Sequence, residues 1–355
     1  MTNEHKITLD CIIFGLQRMG GISNYWAKLV GNVGSDPVLN GSLVLPKPVV
    51  FRDFDANWST RMPVVNERLD LRIGRYLPAP TGADCSVFHT SYYRLPLQRV
   101  GRYVVTVYDF TYERYRTGLA RFVHSQQKLA SIRRADAVIC ISESTRRDVI
   151  EFCPEVDTAK LHVIHLGVDV KAFYQESASQ ASANGETVLF VGQRGGYKRF
   201  DLAIEAVRQT PRLSLGIVGP ALTDAERTLL LARLGSRWHE FGLVSTSHLR
   251  RLYSSAFAFI FPSDYEGFGL PILEAMACGC PVIAAARSSL PEVGGTAAHY
   301  ADNQTGESYA KALIALDSGA IREAAVRCGK DRVAEFDWLQ TLQKTKAVYL
   351  DRKRS

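Results

Sequence analysis

The sequence predicts an α/β protein of two doubly wound, Rossmann-like domains. Strand-sized apolar runs alternate with amphipathic helical stretches, the pattern of parallel sheets with helices on their faces. The alternation occurs twice, and a polar stretch rich in Ser, Ala, Gln and Asn parts the two series. Length agrees, because 355 residues exceed what one core usually organises.

In the first series, strands are expected at 7–14, 86–89, 103–108, 137–142 and 161–164, with helices at 22–30 and 118–135. This first domain is assigned residues 1–170, and the linker 171–186. The second domain, 187–335, opens with a strand at 187–191, a glycine loop and a helix at 200–209. Further strands are expected at 213–218, 238–241, 256–261 and 281–284, and the clearest helices at 249–254 and 271–277. In such sheets, ligands sit at the carboxyl ends of the strands.

Composition narrows the class of protein. With 46% hydrophobic and 22% charged residues the chain is an ordinary globular one, not disordered, collagenous or coiled-coil. No apolar run approaches the roughly 18 residues of a membrane span. The start, MTNEHKITLD, lacks a cationic region followed by an apolar one, so the cytoplasm is the expected compartment. A net charge of +7 favours an anionic partner: nucleic acid, acidic lipid or a phosphorylated substrate. Arginines and aromatics mix at 92–103 and again in Tyr112, Arg114, Tyr115, Arg116, Arg121 and Phe122, which reads either as a solvated face or as a surface for anionic lipid. The 7 Cys are scattered through apolar runs and read as buried thiols. Cys278 and Cys280 have no second pair at zinc spacing, so no metal is assigned.

Three loops follow strands and precede helices. Gly15 to Gly21 contains Gly20-Gly21, a pair suited either to close approach of a phosphate or to a tight turn. Gly192 to Lys198 carries two cations, Arg194 and Lys198, which suit a diphosphate. The third runs from Pro262 through Glu266-Gly267-Phe268-Gly269-Leu270-Pro271 to Glu274. Pro271 suits a first helical turn, leaving the amides near Gly267 to Leu270 free as a cradle for anions and hydroxyls. Glu266 and Glu274 would bring two carboxylates to one place. Spacing alone proves little: 17 Glu give roughly one pair eight apart by chance, and Glu143 with Glu151 is another, on a polar helix. Asp53-Phe-Asp55 precedes no nucleotide element and is declined as a metal site.

With those residues in view, Phe190-Val-Gly-Gln-Arg194-Gly-Gly-Tyr-Lys198, Glu266-Gly-Phe-Gly-Leu-Pro271 with Glu274-Ala-Met-Ala-Cys-Gly-Cys-Pro281, and Ser288-Ser-Leu-Pro-Glu292 resemble glycosyltransferase family 4. The first half is similar in Gly20-Gly21, in Val87-Phe-His89-Thr-Ser-Tyr-Tyr-Arg94 and in Ala135 to Ser142. Phe336-Asp-Trp338 resembles the segment leading a last helix, 336–355, back to the first domain.

The resemblance implies a retaining, metal-independent enzyme of GT-B fold, with the two domains facing a central cleft and no cofactor. It implies that Glu274 binds the ribose of a nucleotide sugar, and that Glu266 with Gly267, Phe268, Gly269 and Leu270 holds the transferred sugar and part of the diphosphate. Arg194 and Lys198 would stabilise the departing diphosphate, with Gly20 and Gly21 against it from the other domain. Relatives often carry His-Asp where this chain has Tyr108-Asp109; Asp109 is the expected contact to sugar or acceptor, with Tyr108 and His89 as further candidates. No carboxylate stands out as a covalent nucleophile, which favours proton acceptance by the leaving phosphate.

The loops are most similar to the mannosyltransferase-like branch, which makes bacterial surface polysaccharides such as lipopolysaccharide. A GDP-linked mannose or deoxyhexose is the first expectation and a UDP-sugar the second, with a glycan or lipid-linked glycan as acceptor and peripheral attachment to the inner membrane. A sugar-nucleotide epimerase is the nearest rival. A nicotinamide oxidoreductase lacks Gly-x-Gly-x-x-Gly here, and an RNA-binding module lacks its motifs, so no nucleic acid is expected.

Overall fold

A computed structural model describes residues 5–351 except 19, 69, 83 and 177–185. Most of the linker expected at 171–186 lies outside the described residues. The chain divides into two compact units, one of residues 1–166 with 338–355 and one of residues 167–337.

Unit 1 holds a parallel sheet of β1 (His5–Asp10), β2 (Leu39–Lys47), β3 (Val64–Arg68), β4 (Val87–Thr90), β5 (Arg102–Val107), β6 (Ala137–Cys140) and β7 (Leu161–Val163). Their order is β3-β2-β1-β4-β5-β6-β7. The direction of winding reverses between β1 and β4, where open sheets of this kind leave a crevice. The central strands β4 and β6 are buried throughout, as strands covered on both faces must be.

Two features depart from the sequence expectation. The first strand stops at Asp10, because residues 13–16 turn into a short helix in which Gly15 lies so close to Pro46 and Leu71 that a Cβ would clash at 2.8–2.9 Å. The glycine pair at 20–21 therefore does not follow the strand directly. β2 and β3 had no clear signal: β2 contains Gly41 and Pro46, and β3 is a half-exposed edge strand ending Asn-Glu-Arg.

Asp10 ends β1 inside the unit. Arg94 pairs with it at 2.9 Å and with Glu67 at 2.7 Å, and Thr90 donates to it at 2.8 Å. Burial pushes the Asp10 carboxyl above its ordinary value, with the Arg94 charge opposing. Removing the guanidinium strands two carboxylates, so Arg94→Ala is expected to cost about 3–5 kcal/mol in urea denaturation; a loss below about 1 kcal/mol would contradict this reading.

The helix Trp338–Leu350 belongs to this unit. Trp338 stacks on Tyr25 at 6.2 Å, Lys346 pairs with Asp36 at 2.6 Å, and Thr341 donates to the His165 carbonyl at 2.8 Å.

Unit 2 holds β8 (Thr187–Val191), β9 (Ser214–Val218), β10 (Trp238–Gly242), β11 (Ala258–Phe261), β12 (Val282–Ala284) and β13 (His299–Tyr300), all parallel, in the order β10-β9-β8-β11-β12-β13. Its core packs Val188, Phe190, Leu215 and Ile260 against Leu202 and Ala206 of the helix Phe200–Arg208. The two-residue β13 is too short to leave a pattern in the sequence. Here the winding reverses between β8 and β11, and their carboxyl ends carry the Arg194–Lys198 and Glu266 loops.

Candidate active site

β8 ends at Val191, and the loop beyond it closes in a 3-10 turn, Gly196–Lys198. β11 ends at Phe261, and its loop leads into the helix Leu270–Ala277. The two loops are tied together: the Asp264 amide donates to the Tyr197 carbonyl at 2.8 Å, and Lys198 Nζ donates to Glu266 Oε1 at 2.6 Å. The ammonium also lies 5.2 Å from the Tyr197 ring and 5.6 Å from that of Phe261. Only 17% of the Lys198 side chain and 14% of Glu266 is exposed, so the pair is partly withdrawn from water yet reachable.

The helix Leu270–Ala277 begins as its residues dictate. Gly269 is the N-cap with φ 107°, a left-handed conformation that favours glycine, and Pro271 stands in the first turn, where a missing amide costs nothing. Phe268 is buried, its ring 5.8 Å from Phe336, so its backbone rather than its side chain is presented. Gly267 and Leu270 are half-buried.

Ser288 and Ser289, given no role by the sequence reading, brace this loop. Ser288 Oγ accepts from the Glu266 amide at 2.9 Å, and Ser289 Oγ lies 2.9 and 2.8 Å from the carbonyls of Glu266 and Phe268. The motif Ser288-Ser-Leu-Pro was visible, but its partners lie 22 residues upstream.

Glu274 lies on the first turns of the same helix, half-buried. Desolvation alone raises its pKa to about 7. No hydrogen bond engages this carboxyl among the described residues, which suits it to receive hydroxyl donors.

Arg194 does not join these groups. Its guanidinium donates to Glu226 at 2.7 Å and to the carbonyls of Pro220 and Ala221 at 2.9 and 2.8 Å. Glu226 closes a capping box with Thr223, and the Arg194 hydrogen bond is the main cause holding its pKa down to about 2. Arg194 thus braces the segment after β9 instead of standing open to a diphosphate.

In unit 1, Gly20 is the N-cap of the helix Gly21–Val33, and Gly21 is exposed at its start. The free amides of a 13-residue helix point from there, a suitable anion seat. Asp109, two residues beyond β5, is half-buried and accepts from the Thr111 amide at 2.8 Å.

His89 and Tyr108, by contrast, are turned inward. His89 is fully buried, with Nδ1 2.6 Å from the Tyr349 hydroxyl and Nε2 2.8 Å from Thr106 Oγ, and burial lowers its pKa to about 3. Trp26 donates to the Tyr108 hydroxyl at 2.5 Å. The expectation that either touches a sugar is corrected: His89 anchors the final helix, and Tyr108 fills the core. His89→Ala is therefore expected to lower the melting temperature of the protein without altering the pH dependence of its reaction between pH 6 and 8.

Residues 174–330 match the family model described as Glycosyl transferases group 1, and residues 45–172 match that described as Glycosyltransferase Family 4. The chain thus carries, one after the other, the two domains of the family 4 type of glycosyltransferase. It is 30% identical to the alpha-maltose-1-phosphate synthase of Mycolicibacterium smegmatis over 258 residues, 64% of this chain and 66% of that protein. It is 42% identical to the O-antigen chain mannosyltransferase B of Escherichia coli over 109 residues, 30% of this chain and 29% of that one. The matches thus span less than two thirds of these relatives' length. Among solved structures, the sucrose-phosphate synthase of Thermosynechococcus elongatus superposes with a TM-score of 0.78 at 20% identity over 98% of both chains, which gives the fold, GT-B.

Proposed function

We propose that this chain is a retaining hexosyltransferase that moves a sugar from a nucleotide donor to a hydroxyl of a glycan acceptor without a metal ion. The observation that carries the reading is the Lys198–Glu266 pair, held at 2.6 Å where two loops meet ahead of a helix bearing the unpaired Glu274. Glu274 receives the ribose hydroxyls, and Glu266 with the amides of 267–270 holds the transferred sugar and the diphosphate; within unit 1, Asp109 is the proposed contact to a hydroxyl and the helix start at Gly20 and Gly21 the proposed contact to an anion. Lys198 neutralises the diphosphate as the bond from sugar carbon to phosphate oxygen breaks. The acceptor oxygen bonds to that carbon on the same face, and its proton passes to the leaving phosphate. The Lys198 ammonium and fixed amides thereby do what a metal ion does elsewhere.

The match to a protein named as an O-antigen chain mannosyltransferase supports mannose as the sugar and a surface glycan as acceptor; the GDP linkage of the donor is proposed on the loop resemblance alone, and a UDP-sugar is the second choice. Slow hydrolysis of an α-linked GDP-mannose, followed by proton NMR in EDTA, tests this. An α sugar released first is expected, and a β sugar released first would contradict retention.

Peripheral attachment to an anionic membrane, on its cytoplasmic face, is part of the proposal. Every residue from 114 to 123 is exposed. The stretch includes Leu119 at 76% and Phe122 at 60% exposure alongside Arg116 and Arg121, with no acid among its ten residues. Apolar tips with cations suit an interface of acidic headgroups. No described helix is long and apolar enough to cross a membrane. Flotation with phosphatidylglycerol liposomes, lost in Phe122→Asp, is expected; no flotation of the wild type would sink the idea.

A further inference from the structure

Arg75 stands out in unit 1 as a cation without a carboxylate. It follows the short helix Leu71–Gly74 and is half-buried. Among the described residues it makes no ion pair, whereas Arg94, Arg102 and Arg114 of the same unit all do. Its partners are phenols instead. It donates to the Tyr76 hydroxyl at 2.5 Å and lies 4.8 Å from the Tyr76 ring centre and 5.6 Å from that of Tyr92. Tyr112 joins the same cluster through His124, whose ring lies 4.1 Å from that of Tyr112 and 5.6 Å from that of Tyr92.

Two sealed polar atoms lie in the same cluster without partners, Nε of Arg75 and Oε1 of Gln127, whose amide nitrogen donates to the Arg75 carbonyl at 2.7 Å. A withdrawn guanidinium lacking a counter-charge is costly, and no carboxylate among the described residues neutralises it. Asp109 accepts from the Thr111 amide and makes no ion pair with Arg75 among the described residues. Tyr92 stands two residues past β4 and Tyr112 five past β5, so the cluster lies at the carboxyl ends of adjacent parallel strands, where open sheets bind ligands.

We propose that Arg75, flanked by Tyr76 and Tyr92 with Tyr112 in the same aromatic cluster, seats a phosphate group carried by the acceptor. A guanidinium fork offers paired donors to two phosphate oxygens, and phenols offer hydroxyl donors to the rest. A carboxylate, with only two oxygens, would leave the phenols unused. The phosphate comes either from a soluble sugar phosphate or from a lipid-linked one; the chemistry at Arg75 is the same. This rests on the transferase reading, since it assigns the seat to the acceptor.

The test is direct binding to the full chain, saturated beforehand with GDP so that the donor loops are filled. Glucose 6-phosphate, titrated calorimetrically, is expected to bind where glucose does not. Arg75→Gln should weaken it at least tenfold and Arg75→Lys less, while GDP affinity stays unchanged in both. If Arg75→Gln does not fold, Tyr92→Phe with Arg75→Lys makes the same comparison. Competition by phosphatidic acid vesicles that phosphatidylcholine vesicles do not reproduce assigns the phosphate to a lipid; failure to compete assigns it to a soluble sugar. Equal affinity in wild type and Arg75→Gln, or no binding of glucose 6-phosphate, overturns the proposal. Should GDP, UDP, ADP and dTDP all fail to bind while glucose 6-phosphate binds through Arg75, the donor reading falls and the phosphate seat stands.

Discussion

Lys198→Ala is expected to slow sugar transfer by about 10²- to 10³-fold, the range found when one preorganised group facing developing charge is removed. The ammonium reaches Glu266 directly, and in the proposed reading it faces the growing diphosphate charge, whereas Arg194 is held in a brace. Single-turnover rates at saturating donor separate this from weakened binding. A drop in turnover with donor affinity changed less than tenfold is expected, and an unchanged rate would remove Lys198 from the mechanism. Arg194→Ala makes the contrast. Its loss frees Glu226 and the 220–221 carbonyls, so the expected outcome is a lower melting temperature with a smaller kinetic effect than at Lys198.

Glu274→Ala should weaken nucleotide binding about 10- to 100-fold, since hydrogen bonds to a charged group contribute about 1.5–3 kcal/mol. The pH dependence follows from desolvation, which raises the carboxyl to about 7. Ribose hydroxyls favour its ionised form, so affinity should fall as pH drops below about 7 and level off above it. Folding stability runs the other way. The folded pKa lies above the ordinary carboxylate value of 4.5, so this group's contribution is fully present below that value and is lost as pH rises through about 7. Glu274→Gln should flatten both profiles. Nucleotide affinity that stays pH-dependent in Glu274→Gln would assign the titration to another group.

The parts of this fold and site that were legible in the sequence are local ones. β8, the Phe200–Arg208 helix and the Pro271 helix start each declare themselves within about ten residues, through apolar runs, glycine and proline. Glu266 and Glu274 stand out for the same reason. What escaped depends on contacts distant in sequence. Arg194 meets Glu226, 32 residues on; His89 meets Tyr349, 260 residues on; and Arg75 meets the phenol of Tyr92 from another loop. A cation after a strand reads alike whether it faces a ligand or a capping carboxylate. Only the fold separates Lys198 from Arg194. The strands β2 and β3 escaped through proline, glycine and edge charges, which weaken the apolar pattern without preventing pairing beside β1.

The central claim is that a nucleotide sugar binds between the Lys198–Glu266 pair and Glu274 without a metal ion. Thermal unfolding with GDP, UDP, ADP and dTDP, each with and without EDTA, tests it most directly. The account predicts that one nucleotide raises the melting temperature, that EDTA leaves the shift unchanged, and that Glu274→Ala abolishes it. Stabilisation that vanishes in EDTA, or none from any of these nucleotides, would contradict it.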